Sequence, residues 1–409
     1  MRIIAPEQLG ACLPVLPTNP RIVTQGSFGT PRALLGLLDA AIAEYRLFIV
    51  NGLGALPDRD GVRIETTFVG SGLRDHPRLD YHPARLSLTP RLFTSTLPPD
   101  VVAVQTSRII DGKVSLGIEV QVIPGAIEAV KARGGIVVAQ INENMPFIQG
   151  DGVLDVADID LAVEIAEAIP VAPDVPIDDE SAALGERLAA MIPEGATLQM
   201  GIGALPGAVL KALGGARRLR VWTELMADGF HHLARTGALD ADHPITATFA
   251  YGSAEMYAWA DNNPQLRLLR CETTNSPGMI AQQPAMVSIN TALQVDLFGA
   301  VNATRVNDRI ISGTGGQADF VVGALHSPGG QAIIALKSWH PKADRSTIVA
   351  KLPEATTSLQ PSWVVTEQGA ARVFGASQRD QALGLIQAAH PRAREHLTAE
   401  AERMGLLGP

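Results

Sequence analysis

Two rhythms of hydrophobic and polar positions alternate along this chain. Short apolar runs closed by Gly, Pro or Asn predict strands over Arg21–Gly26, Arg46–Val50, Ile64–Val69, Val101–Thr106 and Gly135–Ile141. Between them, apolar residues at helical spacing predict helices over Arg32–Tyr45 and about Ala126–Arg133. Strands alternating with helices are the pattern of a parallel sheet, so the fold class read here is α/β with mostly parallel, open sheets. The rhythm breaks over residues 170–180, where Pro170, Pro173 and Pro176 precede the acidic run Asp178, Asp179 and Glu180. That stretch reads as a linker. It divides the chain into an N-terminal α/β domain, 1–178, and a C-terminal α/β domain, 179–409.

The pattern then resumes. A helix is predicted from Ser181 to Met191, a strand from Leu198, a glycine turn, a helix over Gly207–Leu213, and a strand over Leu219–Trp222. Strands follow over Ile245–Ala250, Leu266–Cys271, Met286–Asn290, Gln294–Phe298 and Gln331–Leu336, with a helix over Ala254–Trp259. Ser312–Phe320 reads as a dense turn. A helix over Ala376–Ala389 ends the pattern, and a charged tail follows from His390. The turn Gly26–Pro31 with its helix resembles the turn Gly201–Pro206 with its own. Each keeps a glycine five residues before a proline and an alanine two residues after it, which suggests an internal duplication of two α/β halves. Gly52–Pro57 copies the later turn almost letter for letter, but Asp58, Arg59 and Asp60 stand where a helix should begin, so it reads as a loop.

Length supports two domains, since 409 residues exceed what one core usually serves. A formal net charge of −9 offers no basic excess for general nucleic-acid binding. The two cysteines, Cys12 and Cys271, lie far apart without metal spacing, which fits a reducing compartment. The first residues lack the apolar core of a signal peptide, and no run approaches the roughly 18 apolar residues of a membrane span. A cytoplasmic protein with no membrane partner is the expectation.

Candidate chemistry centres on Gly201, Ile202, Gly203, Ala204, Leu205 and Pro206. A strand, a glycine turn and a helix start present free backbone N–H groups and the positive end of a helix dipole, which suit an anion or a developing oxyanion. If the strands ending at Met200 and Trp222 are parallel neighbours, Glu224 lies beside that turn, at the sheet edge where open α/β folds bind ligands. Taken alone, the turn also fits an ordinary strand–helix connection, and Glu224 fits an acid paired with a helix dipole. Glu272 is a rival carboxylate. Cys271 has no neighbouring His in sequence and reads as a buried apolar thiol. His231, His232 and His390 complete no zinc pattern, so no metal site is expected. Neither a Gly-x-Ser-x-Gly elbow nor a Walker-type phosphate loop occurs.

Taken in order, these pieces resemble the acetyl-CoA hydrolase/CoA-transferase family, which includes 4-hydroxybutyrate and acetate CoA-transferases. They are Asn142–Pro146 with Gly150 and Asp151, Gly201–Pro206 with Thr223, Glu224, Asp228 and Gly229, and Ser288–Asn290 with Val295–Leu297. Gly313–Phe320, Val365–Gly369, and Ala389–Pro391 with Arg394 and Glu395 complete the set. The resemblance implies both halves of a class I CoA-transferase fused in one chain. It implies Glu224 as the nucleophile, CoA and oxyanion contacts from Gly201–Leu205, and further CoA contacts from Asn290, Gly313, Gly315, Gly316 and Lys337. CoA is then a substrate carrying the acyl group, with no tightly bound cofactor. Acyl-CoA and small carboxylic acids are the partners, and a homodimer or higher homo-oligomer the assembly.

The chain departs from the family pattern in three places. Trp222 stands where His or Tyr is frequent, Phe147 where an Arg usually follows Met-Pro, and Gln294 where Glu is common. Trp222 and Phe147 are therefore read as substrate-pocket residues that bear on acyl specificity. A transferase through a glutamyl-CoA thioester is the first reading. An acyl-CoA hydrolase using the same Glu is the second. A catalytically silent CoA-binding protein and a dinucleotide-binding oxidoreductase are the others, the last opposed by Pro206 where a third glycine belongs.

Overall fold

A computed structural model describes residues 1–213, 215, 217–356 and 359–407. Its Cα packing separates two compact units. The first comprises 1–173, 226–228 and 244–274; the second comprises 174–225, 229–243 and 275–409. Residues 226–228 and 244–274, placed in the C-terminal half by the sequence division at 178/179, thus pack with the first unit.

The first unit is built on an eight-stranded sheet. Its strands are β1 (Arg2–Ile3), β2 (Arg21–Thr24), β3 (Tyr45–Ile49), β4 (Val62–Thr66), β5 (Leu79–Tyr81), β6 (Val101–Thr106), β7 (Ile136–Ile141) and β8 (Leu161–Glu164). They lie in the order β1-β8-β7-β6-β2-β3-β4-β5, and every pairing is parallel. All six residues of β6 are buried, as expected of a parallel strand covered on both faces. Helix α1 (Arg32–Ala41) turns Leu34, Leu35 and Leu38 inward, and α2 (Ile123–Ala132) does the same with Ile127 and Val130. Inside the sheet a buried Arg21 grips Glu65 with two hydrogen bonds, at 2.6 and 3.1 Å. Gly52–Pro57 is a loop, as its polar continuation predicts.

The second unit has six strands: β9 (Thr197–Met200), β10 (Arg220–Val221), β11 (Met286–Thr291), β12 (Gln331–Ala335), β13 (Trp363–Thr366) and β14 (Gly369–Arg372). They lie in the order β10-β9-β11-β12-β13-β14, parallel except for the last pair. Helix α3 (Asp179–Met191) opens on an Asp178 side chain that accepts from the Ser181 N–H. Helices α4 (Ala204–Ala212), α5 (Gln317–His326), α6 (Gln378–Ala388) and α7 (Pro391–Arg403) follow. Ile334, Leu336, Val364, Leu385, Ile386 and Leu397 belong to one core cluster of this unit.

The suspected duplication has a topological counterpart. In the first unit the strand before the glycine turn, β2, lies between β3 and β6, with β7 beyond. In the second, β9 lies between β10 and β11, with β12 beyond.

Four sequence expectations need correction. Helix α4 begins at Ala204, so Pro206 lies inside its first turn; a proline is tolerated there because that N–H has no helical acceptor. The strand from Leu266 stops at Leu268, and Cys271 and Glu272 open a short helix, Cys271–Thr274. Gln317–Phe320 is the first turn of α5, not loop. The charged tail is helix α7, which needs only the i, i+4 pair Leu397 and Ala401 as its buried stripe.

Candidate active site

Strands β9 and β10 are parallel neighbours, with Thr197 opposite Arg220 and Leu198 opposite Val221. Beyond the last paired residues, the Trp222 N–H reaches the Leu198 carbonyl at 3.1 Å. The buried Thr223 hydroxyl donates to the Met200 carbonyl at 3.3 Å. These bonds tie the two strand ends together and set Glu224 beside the turn that starts at Gly201.

The turn is open. A Cβ built on Gly201 or Gly203 would meet nothing within 4 Å, whereas one on Gly26, in the matching turn of the first unit, would lie 1.6 Å from the Val50 carbonyl oxygen. Packing thus demands a glycine at 26 but not at 201. Gly203 adopts φ 116°, ψ −175°, a conformation for which glycine is suited, and serves as the N-cap of α4 without any side-chain cap. The N–H groups of Ala204 and Leu205 precede the first helical bond, from Gly207 N–H to the Gly203 carbonyl, and so face outward as donors.

The Glu224 side chain turns to a different helix end. Its Oε2 accepts from Asn275 Nδ2 at 2.8 Å, and the Gly316 backbone N–H, at the N-cap of α5, also donates to the carboxylate. Asn275 is fully buried. Gly316 is confined by the pair it serves: a Cβ there would lie 1.9 Å from Glu224 Oε2 and 2.1 Å from Asn275 Nδ2. Part of Glu224 remains open to solvent while its carboxylate is enclosed. Burial pushes that carboxyl up to about 7, helped by the negative charge of buried Asp319 in the first turn of α5 and opposed by the Asn275 and Gly316 donors. Burial and fixed donors are the means by which a carboxylate's basicity and orientation are set.

On the other side of β9 lies a cleft of about 560 Å³, lined by Ile202–Pro206, Thr291–Gln294, Ala335–Lys337, the hairpin around Trp339–Thr347, Arg305, Val306 and Glu354. Of the sequence candidates, Ile202, Gly203, Ala204, Leu205 and Lys337 share this cleft. Lys337 also pairs with Asp178 and, at 3.3 Å, Glu180. Asn290, at the C-terminal end of β11, is held by Gln199 and Ser288 at 3.1 and 2.9 Å. Gly313 and Gly315 are buried in the loop that delivers Gly316, with Gly315 at φ 53°. Gln294 lines the cleft from the strand Gln294–Asp296. Trp222 is buried in the second unit. Phe147 is buried in the first, where its N–H donates to Asp261 Oδ1 at 2.7 Å.

Two participants are absent from the sequence candidates. Asn275 stands in the sequence only as a neighbour of Glu272, and its role depends on a contact with a residue 51 positions earlier. Asp319 lies inside the motif Gly313–Phe320, but its influence on Glu224 requires the helix start that the sequence hides. The rival Glu272 pairs with Arg270 at 2.7 Å in the first unit, and the Cys271 thiol lies against the Leu86 carbonyl. Among the described residues no helix is long and apolar enough to cross a membrane, and no group of three or more His, Cys, Asp or Glu could hold a metal ion.

Comparisons with known proteins show the family. Residues 18–177 match the acetyl-CoA hydrolase/transferase N-terminal domain and 252–401 the C-terminal domain. The 4-hydroxybutyrate coenzyme A transferase of Clostridium kluyveri is 36% identical over 356 residues, covering 83% of this chain and 82% of that protein. The succinyl-CoA:acetate/propanoyl-CoA:succinate CoA transferase of Fasciola hepatica is 31% identical over 415 residues, covering 93% and 84%. The crystal structure of RipA from Yersinia pestis superposes with a TM-score of 0.92 at 27% identity, covering 99% of this chain and 98% of that one. Matched in both halves and along most of its length, the chain is an enzyme of the acetyl-CoA hydrolase/transferase family.

Proposed function

We propose that the protein transfers CoA between an acyl-CoA and a small carboxylic acid, by a ping-pong route through Glu224. The observation that carries this reading is the enclosed Glu224 carboxylate, held by Asn275 on Oε2 and by the Gly316 N–H. A carboxylate so held can attack the thioester carbonyl, forming an acyl-glutamyl anhydride and releasing CoA thiolate. The thiolate then attacks the glutamyl carbonyl, which leaves a glutamyl-CoA thioester and frees the first acid. A second carboxylate reverses the two steps, and no thioester is lost to water.

Each attack generates an oxyanion. When the substrate carbonyl is attacked, the outward N–H groups of Ala204 and Leu205 are the proposed donors. When the glutamyl carbonyl is attacked, Asn275 and the Gly316 N–H, which hold the carboxylate, are the proposed donors. One such donor is typically worth about 3 kcal/mol in the transition state. The cleft beyond the turn suits the rest of CoA, whose binding far from the reacting atoms can be used to orient the thioester. Trp222, two residues before Glu224, is retained as a residue that bears on the acyl group.

The test is to incubate the protein with acetyl-CoA without an acceptor, trap with borohydride, and map the peptides by mass. Reduction or CoA mass at Glu224 supports the route; full transferase activity in Glu224→Ala removes it. Hydrolysis by the same Glu is the second reading, favoured by the family's inclusion of acetyl-CoA hydrolases. CoA release at one rate with or without an acceptor acid would select it.

A further inference from the structure

Arg305, Lys337 and Arg345 all line the cleft beyond the Gly201 turn, and their partners set them apart. Lys337, the CoA contact that family resemblance implies, is held by Asp178 and, at 3.3 Å, by Glu180. Two carboxylates already neutralise it, so it offers an incoming anion little net charge. Arg305 gives one guanidinium nitrogen to the Asp308 carbonyl at 2.7 Å. Arg345 is exposed, and its side chain makes no ion pair or hydrogen bond among the described residues. The acid next to it in sequence, Asp344, is taken up by Arg392 at 3.3 Å. Glu354, on the same wall, pairs with none of the three cations among the described residues.

The free arginine stands on a fastened support. Arg345 lies opposite His340 in the antiparallel hairpin of Trp339–His340 and Arg345–Ser346, so the two side chains leave the same face. The Ala343 N–H donates to His340 Nδ1 at 3.1 Å, which leaves the hydrogen of a neutral imidazole on Nε2. A guanidinium fork and an N–H donor thus stand side by side, and both residues line the cleft. Trp339 anchors the hairpin. Its ring packs against the His390 ring, with centroids 4.7 Å apart, and against the Arg392 guanidinium at 4.5 Å. His390 and Arg392 lie at the start of α7, and the Thr347 hydroxyl closes the hairpin's base on the Lys337 carbonyl at 2.6 Å.

Sheet order says which part of a ligand arrives there. Glu224 follows β10, and Lys337 follows β12, three strands away in the order β10-β9-β11-β12. At about 4.8 Å per strand the base of the hairpin stands roughly 14 Å from the nucleophile's strand. From its sulfur to its first phosphorus CoA counts about thirteen bonds, close to the backbone of four residues, and four extended residues also span about 14 Å. We infer that Arg345, with the His340 Nε2–H beside it, binds the diphosphate of CoA, and that Lys337 does not. The inference rests on the proposed placement of CoA in this cleft.

The experiment measures binding of CoA, dephospho-CoA and pantetheine by calorimetry to the full-length protein and its Arg345→Ala, Arg345→Lys and His340→Ala variants. Arg345→Ala is expected to raise the Kd for CoA and for dephospho-CoA alike, each about tenfold, since both carry the diphosphate. The Kd for pantetheine, which has no phosphate, should not change. Arg345→Lys keeps the charge without the fork and is expected to recover part of the loss. His340→Ala should weaken the same two ligands about threefold. Unchanged CoA binding by Arg345→Ala, or an equal loss of pantetheine, would overturn the inference. So would a loss confined to CoA with dephospho-CoA spared, which marks the 3′-phosphate instead. These results bear on Arg345 alone when Ile202→Asp, at the Gly201 turn, weakens CoA binding. A parent protein that binds no CoA, or whose CoA affinity is unaffected by Ile202→Asp, would instead overturn the placement of CoA in the cleft.

Discussion

Replacing Glu224 with Gln is expected to make the protein more stable at alkaline pH while abolishing transfer. Burial, the largest cause, and the charge of Asp319 raise the Glu224 carboxyl from 4.5 to about 7. Because the folded state then holds its proton more tightly than the unfolded chain, this group's contribution is fully present below pH 4.5. It is lost as pH rises through 7. Every tenfold difference in proton affinity between the two states corresponds to about 1.4 kcal/mol, so wild type forfeits on the order of 3 kcal/mol across that window. Glu224→Gln does not titrate and keeps an oxygen for the Asn275 and Gly316 donors. Its stability advantage over wild type is therefore near zero at about pH 4.5 and about 3 kcal/mol at about pH 8. For a unit of this size that is roughly 6–12 °C in Tm. Thermal melts of both proteins across this range measure it. A difference in Tm that stays constant with pH would refute the assignment of a buried, charge-destabilised nucleophile, whatever happens to activity.

Other outcomes follow from the same contacts. Gly316→Ala places a methyl group where Glu224 Oε2 and Asn275 Nδ2 now lie; kcat/KM should fall by at least about 100-fold with little change in circular dichroism. Asn275→Ala removes a donor that holds the Glu224 carboxyl down, so kcat should drop by about 10²–10³. The acid limb of its pH–rate profile should also move to higher pH, and an unmoved limb would separate Asn275 from Glu224. Arg21→Ala leaves buried Glu65 without its partner and should cost about 3–5 kcal/mol in denaturant unfolding; a loss under about 1 kcal/mol would mean that Glu65 finds another donor.

How much of this is legible in the sequence depends on the range of the interactions. Strand Val101–Thr106 can be read to the residue because a parallel strand buried on both faces is a continuous apolar run. The turn at Gly201 is legible because its chemistry is local. Helix α7 is not, since its surface is charged almost all round and only Leu397 and Ala401 are buried. The start of α5 is hidden because Ser312–Gly316 is so rich in turn residues that the next four read as part of it. Family resemblance points to Glu224, but the pair that holds its carboxylate cannot be seen in the sequence. One of its members is a backbone N–H with no sequence signature, and the other, Asn275, is an ordinary loop residue until the fold brings it to Glu224.

The first unit is assembled from distant stretches of chain. Its small sheet joins Gln149–Gly150 to Leu266–Leu268 and Ile245–Ala247, so it cannot be finished until residue 274 has left the ribosome. At about 5–20 residues per second, residues 1–173 wait several seconds for the unit's last strands. By then β9, the Gly201 turn and Glu224 have already emerged. A fragment ending in the proline-rich stretch would carry an unfilled edge at Gln149–Gly150.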